Sequence, residues 1–125
     1  MSNPKEVVER YIAAWNERDP AKRRAIVAQA WTEDANYTDP HRSGTGHDGI
    51  SAMIATVHES FHEGYRFRLK DGVDAHNDRV RFQWEAGGTK EAPLHFVGTD
   101  FGTISADGRL KAITGFVDEA PAPQK

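Results

Sequence analysis

The chain has 125 residues, 38% of them hydrophobic and 28% charged, which suits one globular domain with a single core and excludes a disordered polymer. The formal net charge is -3 with both signs dispersed, and no basic block exceeds Lys22-Arg23-Arg24, which argues against nucleic-acid binding. There is no cysteine, so disulfide and thiolate chemistry are excluded; no signal peptide or membrane span is visible, and the expected location is the cytoplasm.

The first helix starts at Pro4, a favoured first-turn residue, with Asn3 as its cap. Val7, Val8, Tyr11, Ile12 and Trp15 recur at helical spacing and form one apolar face, and Asn16-Glu17-Arg18 ends the helix. Asp19 and Pro20 open a second helix that runs to about Trp31. Ala35 to Thr38 reads as a short strand stopped by Asp39-Pro40, and the polar stretch His41 to Gly46 as a loop. His47-Asp48 opens a third helix with Ile50, Met53, Ile54, Val57 and Phe61 on one face and Gly64 at its end.

Beyond Gly64 the period changes to two. Tyr65, Phe67 and Leu69 alternate with charged residues, as do Val80, Phe82 and Trp84, and Ala75 to Asp78 reads as a hairpin turn between them. Gly87-Gly88 and Pro93 bracket the next turn. A long strand from Leu94 to Ile104 follows, then the hairpin signal Asp107-Gly108 and a last strand from Leu110 to Asp118. Residues 1–119 are expected to form one domain and 120–125 a mobile tail. Helices first and four long antiparallel strands later argue an α+β fold, with a bent sheet wrapped around helices and room for a pocket near Gly98 and Gly102, where large side chains are few.

Asp100 stands out because it lies inside that apolar strand. A lone buried carboxylate costs several kcal/mol, so such a group finds a partner, keeps its proton, or marks a cavity. Asp100 can instead pair with Arg79 or Arg81 on a neighbouring strand or lie on the outer face, because alternation leaves both faces partly apolar. That double-sided apolarity also suggests a homodimer packed through the outer sheet face. Trp15, Trp31, Phe67, Phe82, Trp84 and Phe116 are candidates to line an apolar ligand pocket, although aromatic residues at such positions also serve as plain core.

The order and spacing of several segments resemble the nuclear transport factor 2 superfamily, and within it the SnoaL-like group with its ketosteroid isomerases and polyketide cyclases. The segments are Glu9-Arg10-Tyr11-Ile12-Ala13-Ala14-Trp15-Asn16, Trp31-Thr32-Glu33-Asp34-Ala35 leading into Tyr37-Thr38-Asp39-Pro40, and Gly98-Thr99-Asp100-Phe101-Gly102 followed by Asp107-Gly108-Arg109-Leu110. The resemblance covers nearly the whole chain. It implies a cone-shaped curved mixed or antiparallel sheet wrapped around three N-terminal helices.

It also implies three catalytic positions, Tyr11, Asp39 and Asp100. Ketosteroid isomerase, a standard example, uses an aspartate base and an oxyanion hole of a tyrosine and a protonated aspartate. By that resemblance Asp39 is the base, while Tyr11 and an Asp100 that is neutral near pH 7 donate hydrogen bonds to the developing enolate. Read without the resemblance, Tyr11 is a core tyrosine and Asp39-Pro40 a turn signature. His41 and Arg42 stand beside Asp39, where a steroid site is expected to be apolar, so the ligand is expected to be a smaller or more polar carbonyl compound. His41 is a candidate ligand contact, and His58 and His95 are within possible reach of the cavity. No cofactor is expected.

His58-Glu59-Ser60-Phe61-His62 spells the zinc-peptidase helix motif, but a third ligand is needed and its usual position holds Arg68. The plainer reading is a polar helix end, so no metal is expected. Two other functions compete with the enzyme: a non-catalytic module for hydrophobic ligands or dimerisation, and an epoxide hydrolase-like site, whose required arginine the sequence does not single out.

Overall fold

The computed structural model describes residues 3–61, 65–70 and 72–121. The elements run α1 (Pro4–Asn16), α2 (Pro20–Ala30), β1 (Trp31–Thr38), β2 (Ser43–Thr45), α3 (Gly46–Ser60), β3 (Phe67–Leu69), β4 (Asp74–His76), β5 (Arg79–Gly87), β6 (His95–Ile104) and β7 (Leu110–Glu119). The strands form one seven-stranded sheet in the order β2-β1-β7-β6-β5-β3, with β4 also paired to β5. Every pairing is antiparallel except β1 with β7, which is parallel, so the sheet is mixed. None of the helices is long and apolar enough to cross a membrane, among the described residues.

Capping fixes where the first two helices begin. The Asn3 side chain accepts the Lys5 N–H at 2.8 Å, the Asp19 side chain accepts the Lys22 N–H at 2.9 Å, and a proline follows each cap. The apolar face of α1 then packs into one core with α3 and the inner face of the sheet, where Val7, Val8, Ile50, Ile54, Val80, Phe82 and Ile113 are all buried. Arg109 ties the β6–β7 hairpin to the start of β1 by donating to the carbonyls of Ala28 and Trp31 and to the Glu33 carboxylate.

Several boundaries differ from expectation. The expected loop from His41 to Gly46 contains β2, an edge strand of Ser-Gly-Thr that carries no apolar alternation. The expected turn at Ala75 to Asp78 holds most of β4, whose residues are all exposed; the turn itself is carried by Asn77 in the left-handed region, φ 50°. The strand expected from Tyr65 shrinks to three residues. One edge of β3 pairs with β5, and at Phe67 the other meets a side chain: the Asn16 amide donates to the Phe67 carbonyl at 2.8 Å and accepts the Phe67 N–H at 2.7 Å. Gly64 and residues 122–125 of the expected tail lie outside the described residues.

Gly98 and Gly102 do not open the pocket. Neighbouring side chains lie over both: the Trp84 indole over Gly98, and Ile113 and Val80 over Gly102. A Cβ on Gly98 would lie 2.2 Å from Trp84 Cζ2 and 2.7 Å from the Phe116 carbonyl oxygen, so this glycine is what lets Trp84 reach across β6. Gly98→Ala is therefore expected to lower stability by about 1–3 kcal/mol, the usual cost of forcing a methyl into packed space, as read from the midpoint of denaturant unfolding. An unchanged midpoint would contradict this packing.

Candidate active site

Strand register brings the key residues together. The parallel β1–β7 pairing sets Tyr37 beside Ile113 and Thr38 beside Thr114, so the next residue, Asp39, comes level with Gly115. In the antiparallel β6–β7 ladder Gly115 pairs with Asp100. Two carboxylates thus flank one glycine from opposite sides. A Cβ on Gly115 would lie 2.8 Å from Asp100 Oδ1, 3.2 Å from Tyr37 Oη and 3.3 Å from Asp39 Cβ, so the absent side chain makes the room they share.

Asp100 is only 2% exposed. The Tyr11 hydroxyl, from α1, donates to its Oδ2 at 2.5 Å, and the Trp84 indole N–H, from β5, donates to its Oδ1 at 3.0 Å. No arginine pairs with it among the described residues: Arg81 pairs with Asp74 and Arg79 with Asp78, both on exposed surface. Asp39 Oδ1 accepts the backbone N–H groups of His41 at 2.7 Å and Arg42 at 2.9 Å, and its Oδ2 accepts the Tyr37 hydroxyl at 2.6 Å. One oxygen of Asp39 thus makes the turn and the other meets Tyr37.

Burial pushes the Asp100 carboxyl up to about 6; its hydrogen bonds from Tyr11 and Trp84 act against that rise, and the charges of Asp39 and Asp118 add to it. The rise runs in the direction of the expected neutral form, although about 6 is still below pH 7. Tyr11 is pushed well above the ordinary phenol range by burial and then by the Asp100 charge. Tyr37 moves the same way, through burial and then the charge of Asp100 and its bond to Asp39. Both phenols keep their protons at neutral pH.

These groups border a cavity of about 170 Å³. Tyr11, Asp39 and Asp100 all line it, and so do Trp15, His41, Phe67 and Trp84. Trp31, Phe82 and Phe116, expected as ligand contacts, do not. Trp31 and Phe82 are buried behind Tyr11, with ring centroids 5.2 and 5.3 Å from its own, and so orient the phenol without touching the cavity. Phe116 alternates with the inward-facing Gly115 and Val117, which turns it to the outer face, 54% exposed.

His58 and His95 do not line the cavity either. The His58 ring bonds the Trp15 carbonyl and Arg23, and His95 bonds Glu85. Both ring nitrogens of His58 are thus engaged, and burial lowers its pKa; His62 lies outside the described residues. Among the described residues no cluster of His, Asp or Glu has the arrangement to hold a metal ion. Sequence reasoning missed Tyr37, Phe61, Tyr65 and Phe96, which also line the cavity. For Tyr37 a signal existed: it lies two residues before Asp39, so strand alternation puts both on one face.

The three helices inside a curved mixed sheet define an α+β cone of the nuclear transport factor 2 type, and solved structures share it. An NTF2-like protein of unknown function from Exiguobacterium sp. 255-15 superposes with a TM-score of 0.72 at 15% identity, over 91% of this chain and 99% of that one. A candidate SnoaL-like polyketide cyclase from Jannaschia sp. CCS1 superposes with a TM-score of 0.69 at 17% identity, over 94% of this chain and 90% of that one. The chain belongs to the SnoaL-like domain family, whose sequence profile matches residues 8–113. It is 38% identical to a candidate isomerase of the SnoaL-like family from Agrobacterium tumefaciens, over 91% of this chain and 96% of that one, with a TM-score of 0.84. Comparison with curated protein sequences gives no match.

The raised Asp100 value predicts a pH-dependent stability. The folded state holds this proton more tightly than the unfolded chain, so the contribution is complete below 3.8 and is lost as pH rises through about 6. Asp100→Asn keeps the shape and removes the charged form. It is expected to be more stable than the wild type by about 2–3 kcal/mol at pH 8, with the difference fading at pH 4, as read by denaturant unfolding at both pH values. A difference independent of pH would contradict this origin.

Proposed function

We propose that the protein is a cofactor-independent enzyme that moves a proton next to the carbonyl of a small, mainly apolar ketone, as an isomerase or a cyclase does. The observation that carries this reading is the convergence of two carboxylates and two phenols across Gly115 on one aromatic cavity. In this reading Asp39 Oδ2 takes the proton from the carbon beside the carbonyl, the C–H electron pair moves into the enolate, and Asp39 returns the proton to the same or a conjugated carbon.

The enolate oxygen needs donors. When Asp100 is ionised, the Tyr11 proton is committed to it. When Asp100 is protonated it can donate to the Tyr11 oxygen, and the phenol proton is then free for the ligand. The active form is thus the one with the extra proton on the Tyr11–Asp100 pair, and turnover falls as pH rises through about 6. The cavity, about 170 Å³, compares with an engineered cavity of about 150 Å³ that admits benzene, which favours a monocyclic or bicyclic ketone over a steroid. No arginine pairs with Asp39 or Asp100 among the described residues, and Arg42, which lines the cavity, would have to serve as the third group of an epoxide hydrolase-like site.

The test is exchange of the α-protons of 2-tetralone in D₂O, followed by NMR. Asp39→Asn is expected to slow the protein-catalysed exchange by about 10²–10⁴-fold, the usual worth of a general base. Exchange at the wild-type rate would remove Asp39 from that role, and a wild type no faster than buffer would leave a binding module in place of an enzyme. We also propose that a second copy of the chain covers the outer sheet face, where Phe101 and Phe116 remain 47% and 54% exposed. Replacing both by glutamate is expected to halve the mass seen by sedimentation, and a wild-type monomer would refute this.

A further inference from the structure

The resting cavity has an electrostatic feature that carbonyl chemistry does not use. Asp39 and Asp100 have no ion-pair partner among the described residues. Their donors are neutral: Tyr11 and Trp84 for Asp100, Tyr37 and two backbone N–H groups for Asp39. An ionised carboxylate in such a setting lacks the charge partner that buried anions ordinarily have.

The wall between the two carboxylates is aromatic without a break. Tyr37, bonded to Asp39, lies tilted against Trp15 with centroids 5.3 Å apart; Trp15 meets Phe67 at 5.5 Å; and Phe67 meets Trp84, bonded to Asp100, at 5.6 Å. The arc begins at one carboxylate's partner and ends at the other's. The faces of aromatic rings carry negative potential and attract cations, most strongly where water is excluded. We propose that this cavity is also a site for a quaternary ammonium group or a protonated amine, seated on the Tyr37–Trp15–Phe67–Trp84 arc with its charge balanced by Asp39 and Asp100.

The charged and titratable groups facing Asp100 are Tyr11 from α1 and Tyr37 and Asp39 from β1 and its turn; Trp84 from β5 is a neutral donor, and Asp118 of β7 acts on it only through its charge, from the outer face where it bonds Thr99. The Arg42 guanidinium, half-buried, and the His41 ring, exposed, also reach the cavity, and neither pairs with a carboxylate among the described residues. A cation therefore favours the ionised form of Asp100, whereas an enolate favours the protonated form. One carboxyl selects between two ligand classes by its proton. The amine site does not depend on the cavity acting on a ketone.

The test compares choline, a permanent cation, with 3,3-dimethylbutan-1-ol, its neutral isostere, by NMR titration at pH 8 and pH 5. Choline is expected to bind about tenfold tighter than the alcohol at pH 8 and to weaken at pH 5, while the alcohol is indifferent to pH. Asp100→Asn is expected to weaken choline by about tenfold at pH 8, without moving the alcohol. Equal affinities for choline and the alcohol, or a choline affinity unchanged between the two pH values in the wild-type protein, overturn the proposal. Choline binding without 2-tetralone exchange supports this site and removes the enzyme reading alone; exchange without choline binding does the reverse.

Discussion

The hydrogen bond from Tyr11 to Asp100 is the constraint around which the rest is arranged. It spans 89 residues of sequence and joins the first helix to the centre of the sheet inside the core. A buried carboxylate with no donor is costly, and a buried phenol also needs a partner; each supplies what the other requires. Trp31 and Phe82 pack against the Tyr11 ring and hold its hydroxyl in the position that completes this bond. The cavity is the space left beyond it.

Strand order supplies the second carboxylate. Asp39 is far from Asp100 in sequence, yet the parallel pairing of β1 with β7 sets it only one strand further away, across a residue that has no side chain. Neighbouring strands lie about 4.8 Å apart, so carboxylates two strands apart approach one another only if the residue between them leaves its place empty. Two acids at short range cannot both ionise freely, which is part of why Asp100 holds its proton above the usual range. Fold and protonation chemistry are thus two results of one register.

Much of this was legible in the sequence, and what was not follows a pattern. The caps Asn3 and Asp19, the helical faces and the Asp107-Gly108 hairpin are local signals and read correctly. β2 and β4 were missed because edge strands with exposed side chains show no apolar alternation. The parallel partner of β1 was invisible because non-local pairing leaves no trace in period. Gly115 did carry a signal, an isolated glycine inside a strand, which marks a close approach of other groups. Trp31, Phe82 and Phe116 show the limit of residue identity: an aromatic side chain can line a cavity, support a residue that does, or face solvent, and composition does not distinguish them.

The clamp of Asn16 on Phe67 has a consequence for how the cavity can move. Tyr11, Trp15 and Asn16 belong to one rigid helix, and through Asn16 that helix holds the main chain of a wall residue from the other side of the cavity. Floor and wall are therefore one mechanical unit, and the site cannot breathe by loosening β3 alone. A fluctuation that widens the cavity at Phe67 must pull on α1, which couples the amides of that helix to this opening in one unit of local unfolding. Occupancy of the cavity would accordingly register as slowed hydrogen exchange along α1, whatever the chemical nature of the occupant.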